Sequence, residues 1–103
     1  MPGTGNTSIK SYNFFLDSSI QGAGGYAENG PHDFVDTKLG IIFTSQTLIF
    51  SSDSTVAQMW FSFDGVNDHG MIDKGETLQM DFRRSRRIWF RGTPGEPFRF
   101  WGY

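Results

Sequence analysis

The second half of the chain alternates apolar and polar residues with a period of two. From Val56 to Phe63, Ala57, Met59, Phe61 and Phe63 fall on one face and Val56, Gln58, Trp60 and Ser62 on the other. Successive side chains of a strand point to opposite faces, so this spacing predicts a half-buried strand. Thr77 to Phe82 repeats it with Leu78, Met80 and Phe82 on one side. Ile88-Trp89-Phe90 is a short apolar run of strand-favouring residues, and Pro97 to Tyr103 puts Phe98 and Phe100 on one face. Leu39 to Thr44 and Thr47 to Ser51 add two β-rich runs, read as a tight hairpin or one bulged strand. Asp64 to Glu76 and Arg83 to Arg87 separate these runs as a loop and a solvated turn. No stretch keeps apolar residues at i, i+3, i+4, i+7 long enough to predict a helix. The pattern predicts an all-β fold: a small antiparallel β-sandwich, jelly-roll-like, of about six or seven strands.

The first 36 residues break this rhythm. Met1 to Ser8 has nothing to bury, and Asp17 to Pro31 is glycine-rich with no sustained period. Glycine loses most freedom on folding, so such a run does not order itself. It reads either as a flexible linker or as an arm lying along a neighbouring subunit. Between the two lies Ile9 to Leu16, a short strand or anchor, with Tyr12, Phe14 and Phe15 as candidate partner contacts. The expected organisation is an extended arm over 1–36 and a sandwich over 37–103. A chain lacking 1–36 should then fold but fail to assemble.

Composition narrows the chemistry. With 103 residues the chain makes one domain, and a high aromatic fraction of 17% can fill its small core. There is no cysteine, which removes disulfides and thiolate metal sites. No window reaches the roughly 20 apolar residues of a membrane helix, and the N-terminus lacks a signal pattern, so a soluble protein made in the cytoplasm is expected. Net charge is −2 but lopsided. Residues 1–81 hold three lysines against eight aspartates and two glutamates, whereas all six arginines lie in 82–103 with a single glutamate.

Spacing constrains the candidate chemistry. The acids from Asp64 to Glu76 fail the EF-hand pattern, because Val66 falls at position 3 and His69 at position 6. Asp and Asn there read as loop formers, with an irregular calcium site as the alternative. His69 beside Asp68 lacks a recognisable pocket or nucleophile, so no enzyme, cofactor or metal is expected. Arg83, Arg84, Arg86 and Arg87 could bind phosphate, but the acidic chain lacks the broad basic face of nucleic-acid domains. They fit an acidic protein surface better, with a plain solvated turn as the bland reading. Trp60, Trp89 and Trp101 could stack on a sugar; core or interface use is commoner, and Trp60, beside Gln58 and Ser62, is the candidate for exposure or for cover by another chain.

One resemblance joins these features. Ser62-Phe63-Asp64-Gly65, Asp68-His69, Gly75-Glu76 and Ile88-Trp89-Phe90-Arg91-Gly92 resemble turn-and-strand patterns of small β-sandwich structural proteins in tailed-phage virions, over residues 39–103. The resemblance implies a virion building block, such as a capsid decoration, head fibre, or neck or tail part. Its partners would be copies of itself and a major capsid, neck or tail protein. A carbohydrate-binding or host-recognition module of a fibre is the alternative.

Overall fold

The computed structural model describes residues 13–81 and 83–103, so the expectations placed on Tyr12 and Phe82 lie outside the described residues. Among the described residues eight strands follow in order: β1 Phe14–Ser19, β2 His32–Asp33, β3 Thr47–Ser52, β4 Met59–Ser62, β5 Gly70–Ile72, β6 Thr77–Asp81, β7 Arg87–Gly92 and β8 Pro97–Gly102. They form two antiparallel four-stranded sheets, β1-β8-β3-β6 and β2-β7-β4-β5. First pairs with eighth, second with seventh, third with sixth and fourth with fifth. The chain is thus one long antiparallel ribbon folded over at the β4–β5 hairpin. Wrapping the ribbon makes the closing pairs β3–β8 and β4–β7. This connectivity is a jelly roll.

The two inner faces meet in a phenylalanine core. Phe50, Phe90, Phe98 and Phe100 are buried, and the rings of Phe90 and Phe98 join the two sheets at 4.5 Å between centroids. The period of two holds over Met59, Trp60 and Phe61, buried, half-buried and buried, but Ser62 on the Trp60 side is buried as well; in the Ile88–Phe90 run Ile88 and Phe90 are buried and Trp89 is half-buried. Each inner ring removes about 150–250 Å² from water, which makes so small a sandwich stable.

Residues 13–36 do not form an arm. β1 runs the full length of β8, from Phe14 opposite Gly102 to Ser19 opposite Pro97. Ile20, Tyr26 and Phe34 are all buried, and Phe34 stacks on Phe100 at 5.6 Å. The glycine-rich run is ordered by its ends: Asn29, itself buried, accepts from the Gln21 amide and donates to the carbonyls of Gly22 and Gly25. A boundary at 36 would cut both sheets.

Two further readings change. Asp64 to Glu76 is not one loop, because β5 pairs with β4 inside it. Leu39 to Thr44 is not a strand: Val35 and Ile42 form one isolated bridge, and Leu39 and Ile41 are 71% and 60% exposed. The apolar run begins in a tight turn closed on Asp36, with Gly40 at a φ of 71°, so a sheet partner is not what its side chains meet. The strand expected from Val56 begins instead at Met59, since buried Ser54 caps the preceding turn by accepting from the amides of Val56 and Ala57. Among the described residues no helix is long and apolar enough to cross a membrane.

Candidate functional site

The arginine-rich segment joins β6 to β7 and therefore crosses from one sheet to the other at one end of the sandwich. The 35–42 hairpin projects from the same end. Ser45 ties them together: its hydroxyl donates to the Arg83 carbonyl and accepts from the Ser85 amide, and its own amide donates to Ser85. The Phe34 amide donates to the Arg86 carbonyl.

The hairpin is held rigid by Asp36. One carboxylate oxygen accepts from the amides of Lys38 and Leu39, the other from the Asn13 side chain. These bonds stabilise the ionised form and hold its pKa below the usual carboxylate value. The backbone closes the turn, with Gly40 donating to the Asp36 carbonyl and Asp36 to Ile41. The result is a fixed tip with Leu39 and Ile41 outward and Val35 and Ile42 partly exposed at its base. Four aliphatic side chains are thus exposed between positions 35 and 42.

The four arginines differ in what they already touch. Arg87 pairs with Asp33 at 3.3 Å, and the Arg83 guanidinium lies over the Phe63 ring at 4.0 Å. Arg84 and Arg86 are exposed, and neither guanidinium has an ion-pair partner among the described residues. Phe14, expected to meet a partner, is instead half-buried on Phe34 and Phe100 in the core. Phe15 lies on the outer face, its ring 5.4 Å from that of Trp101.

Trp60 belongs to a second group, on the outer face of the β2-β7-β4-β5 sheet. Arg91, its neighbour across β7, lays its guanidinium over the indole at 4.2 Å and forms a fork with Asp68 at 2.9 and 2.7 Å. The Tyr26 hydroxyl donates to the same Asp68 carboxylate. Arg91 and Tyr26 together hold the Asp68 pKa down to about 2, whereas burial first, then the carboxylate, pushes Tyr26 well above its ordinary value. Sequence reasoning missed this group because Tyr26 lay in the supposed arm. Its function is to pin the 63–69 loop onto the sheet. Beneath that loop Trp89 is gripped between Gly30 and Gly65, where a Cβ would come within 2.7 and 2.8 Å of the ring. With φ of 151° and 78°, both positions also favour glycine on backbone grounds.

The polar loop has spent its acids. Asp64 accepts from the Val66 and Asn67 amides, the Asn67 side chain and the Ser62 hydroxyl. Its pKa is lowered accordingly, the local Asx bonding expected of loop formers. His69 accepts from the Phe63 amide through Nδ1. Among the described residues no three His, Asp or Glu side chains converge as metal ligands. Trp101 is only 5% exposed, and the guanidinium of Arg91 covers one face of Trp60, so neither offers a bare stacking platform.

Comparison with known proteins leaves the family open. No protein-family model matches the sequence, and no curated protein matches it significantly. Among solved structures, the chain is similar to the Yersinia pseudotuberculosis-derived mitogen at 13% identity and a TM-score of 0.38, covering 85% of this chain and 81% of that one. At that TM-score the likeness carries no argument.

Proposed function

We propose that the protein is a non-enzymatic structural subunit of the virion kind, which works by contact with copies of itself and with a larger virion protein of the capsid, neck or tail. The observation that carries this is the braced apolar tip beside the arginine-rich segment. It is a braced surface with exposed Leu39 and Ile41 beside Arg84 and Arg86, whose guanidiniums have no ion-pair partner among the described residues. The tip serves no core, and its bracing by Asp36 reduces the ordering cost of docking. Support by analogy comes from the architecture: eight-stranded jelly rolls recur in viral capsids, although a fold alone does not fix a function. The sequence resemblance to phage-virion sandwiches points the same way.

Jelly rolls also serve as lectins, which makes carbohydrate binding the rival. Light scattering on the purified chain, run beside a glycan array, separates the two. Assembly into a defined oligomer without glycan binding is expected. A glycan signal abolished by Trp60→Ala would overturn the structural reading in favour of host recognition.

A further inference from the structure

The sandwich is open along one side. β5 and β6 are joined by the short 73–76 turn and lie at the edges of opposite sheets, each with a strand partner on one flank only among the described residues. Between them runs a groove of about 580 Å³ lined by Phe61, Phe63, Met71, Leu78 and Met80. Leu78 and Met80 pack on the core from β6 yet stay half-buried, and Met71 is 45% exposed. The register fixes which backbone groups of β6 are free. Ser52 donates its amide to the Glu76 carbonyl, and β3 sets Phe50 opposite Leu78 and Leu48 opposite Met80. Bonding alternates along an antiparallel pair, so Leu78 and Met80 turn their backbone groups to β3 while Thr77, Gln79 and Asp81 turn theirs outward. Native sheets guard such edges with lysine, proline, bulges or brevity. β2 and β5 are brief, at two and three residues. β6 has five residues and one charge, Asp81, at its end. At the remaining edge the same alternation, counted from the Ile20–Glu96 bond, turns Phe15, Asp17 and Ser19 of β1 outward, with an acid at the centre.

We infer that β6 pairs antiparallel with β6 of a second copy, about a two-fold axis at Gln79, joining two β1-β8-β3-β6 sheets into one. The inference rests on the reading of the protein as a self-assembling subunit and names the surface. The outward residues are spaced evenly about Gln79, so the axis sets Gln79 opposite Gln79 and Thr77 opposite Asp81 of the second copy. Each outward N–H then meets an outward carbonyl, about six backbone bonds in all. No like charges are opposed in this ladder, and Leu78 comes beside Met80 of the second copy, which covers the half-buried rim of each groove. The flanks of β6 match as well. Asp73 and Glu76 precede it with Lys74, and Arg83 and Arg84 follow Asp81, so net −1 meets net +1 at each end of the seam. Asp73, Glu76, Arg83 and Arg84 have no ion-pair partner among the described residues. Parallel pairing would set like flanks together, and a two-fold at the centre of β1 would set Asp17 against Asp17. The contact is isologous and closes at a dimer, leaving both 35–42 tips free for the larger virion protein.

The chain has no cysteine, so single substitutions report the register directly. Cα atoms of a bonded antiparallel pair lie about 5.5 Å apart, within disulfide reach. Gln79→Cys should therefore link two copies on mild oxidation. Thr77→Cys or Asp81→Cys alone should not, since each lies about 14 Å from its own counterpart. Mixed, those two should link to each other. Sedimentation velocity gives the strength. Wild type should run as a dimer, and Gln79→Lys, at an exposed position, sets two ammonium groups against each other and should weaken association at least tenfold. Circular dichroism melts confirm that the variants fold. Gln79→Lys associating at wild-type strength, or Thr77→Cys linking to itself as readily as Gln79→Cys, would overturn the edge contact. If wild type still assembles in that case, the self-assembly reading stands. If wild type remains monomeric at every concentration, both fail.

Discussion

Phe34 ranks with the sheet strands as a structural residue although it stands outside every strand. Its side chain is fully buried and meets the rings of Phe14, Phe43 and Phe100. Phe34→Ala should therefore cost about 3–5 kcal/mol, the range for emptying a large core site. Urea unfolding measures it, and a loss below about 1 kcal/mol would mean that the segment does not pack as described. Acid sensitivity is also set by single residues. Burial against Phe90 lowers the His32 pKa, outweighing the opposing influence of the Asn29 carbonyl and Asp33, so the folded state prefers the neutral ring. Protonation then favours the unfolded chain, and stability present above about pH 6.5 should begin to fall below it. Asp68, Asp36 and Asp64 have depressed pKa values, so their contribution is present above the ordinary carboxylate range and is lost as pH falls through it toward about 2 for Asp68. Melting temperature against pH should show two descents, and His32→Gln should remove the upper one. A curve unchanged by that substitution would contradict the burial of His32.

At the scale of elements, strands with a clear alternation were legible and those set by distant partners were not. Met59, Phe61, Ile88, Phe90, Phe98 and Phe100 fall on the inner faces as their spacing predicts. β2 has only two residues, His32 and Asp33, and exists because β7 offers an edge. No local pattern announces it. β5 is three residues, Gly70 among them because a Cβ there would meet the Phe61 ring at 2.3 Å. Its glycine looked like loop composition when it marks a close approach. Ile9 to Leu16 reads as a short strand or an anchor, and only its pairing with β8 at the far end of the chain decides for the strand. Of the candidate site, the arginine cluster could be read directly, but its neighbour, the 35–42 tip, was hidden by being apolar. The practical consequence concerns truncation. A chain starting at Asn13 keeps all eight strands and should melt cooperatively. One starting at residue 37 loses β1, β2 and the Ile20, Tyr26 and Phe34 side chains, and should be unfolded by circular dichroism. Retention of a cooperative melt by the shorter chain would restore the arm.

At the scale of the whole molecule, the ribbon-like wrapping sets the order in which contacts become affordable. The β4–β5 hairpin closes a loop of under ten residues, between Phe61 and Gly70, whereas β1–β8 pairing must bring Phe14 to Gly102. Loop entropy rises by about 0.6 kcal/mol per doubling of length, so the longer closure costs about 2 kcal/mol more before any contact rewards it. Folding should therefore start near the turn of the ribbon and end with β1 joining the edge of its sheet. All-β topologies of this kind fold in about milliseconds to seconds, within reach of stopped flow using the native tryptophans. Phe61→Leu and Ile72→Val, in the hairpin, should chiefly slow folding, with φ-values above about 0.5. Phe14→Leu and Leu16→Ala, on β1, should chiefly speed unfolding, with φ near zero. The reverse ranking would mean that the β1–β8 seam nucleates the fold. The terminal strands, joined last, would then no longer be the region expected to open first, and any exchange of β1 between neighbouring copies would require global unfolding.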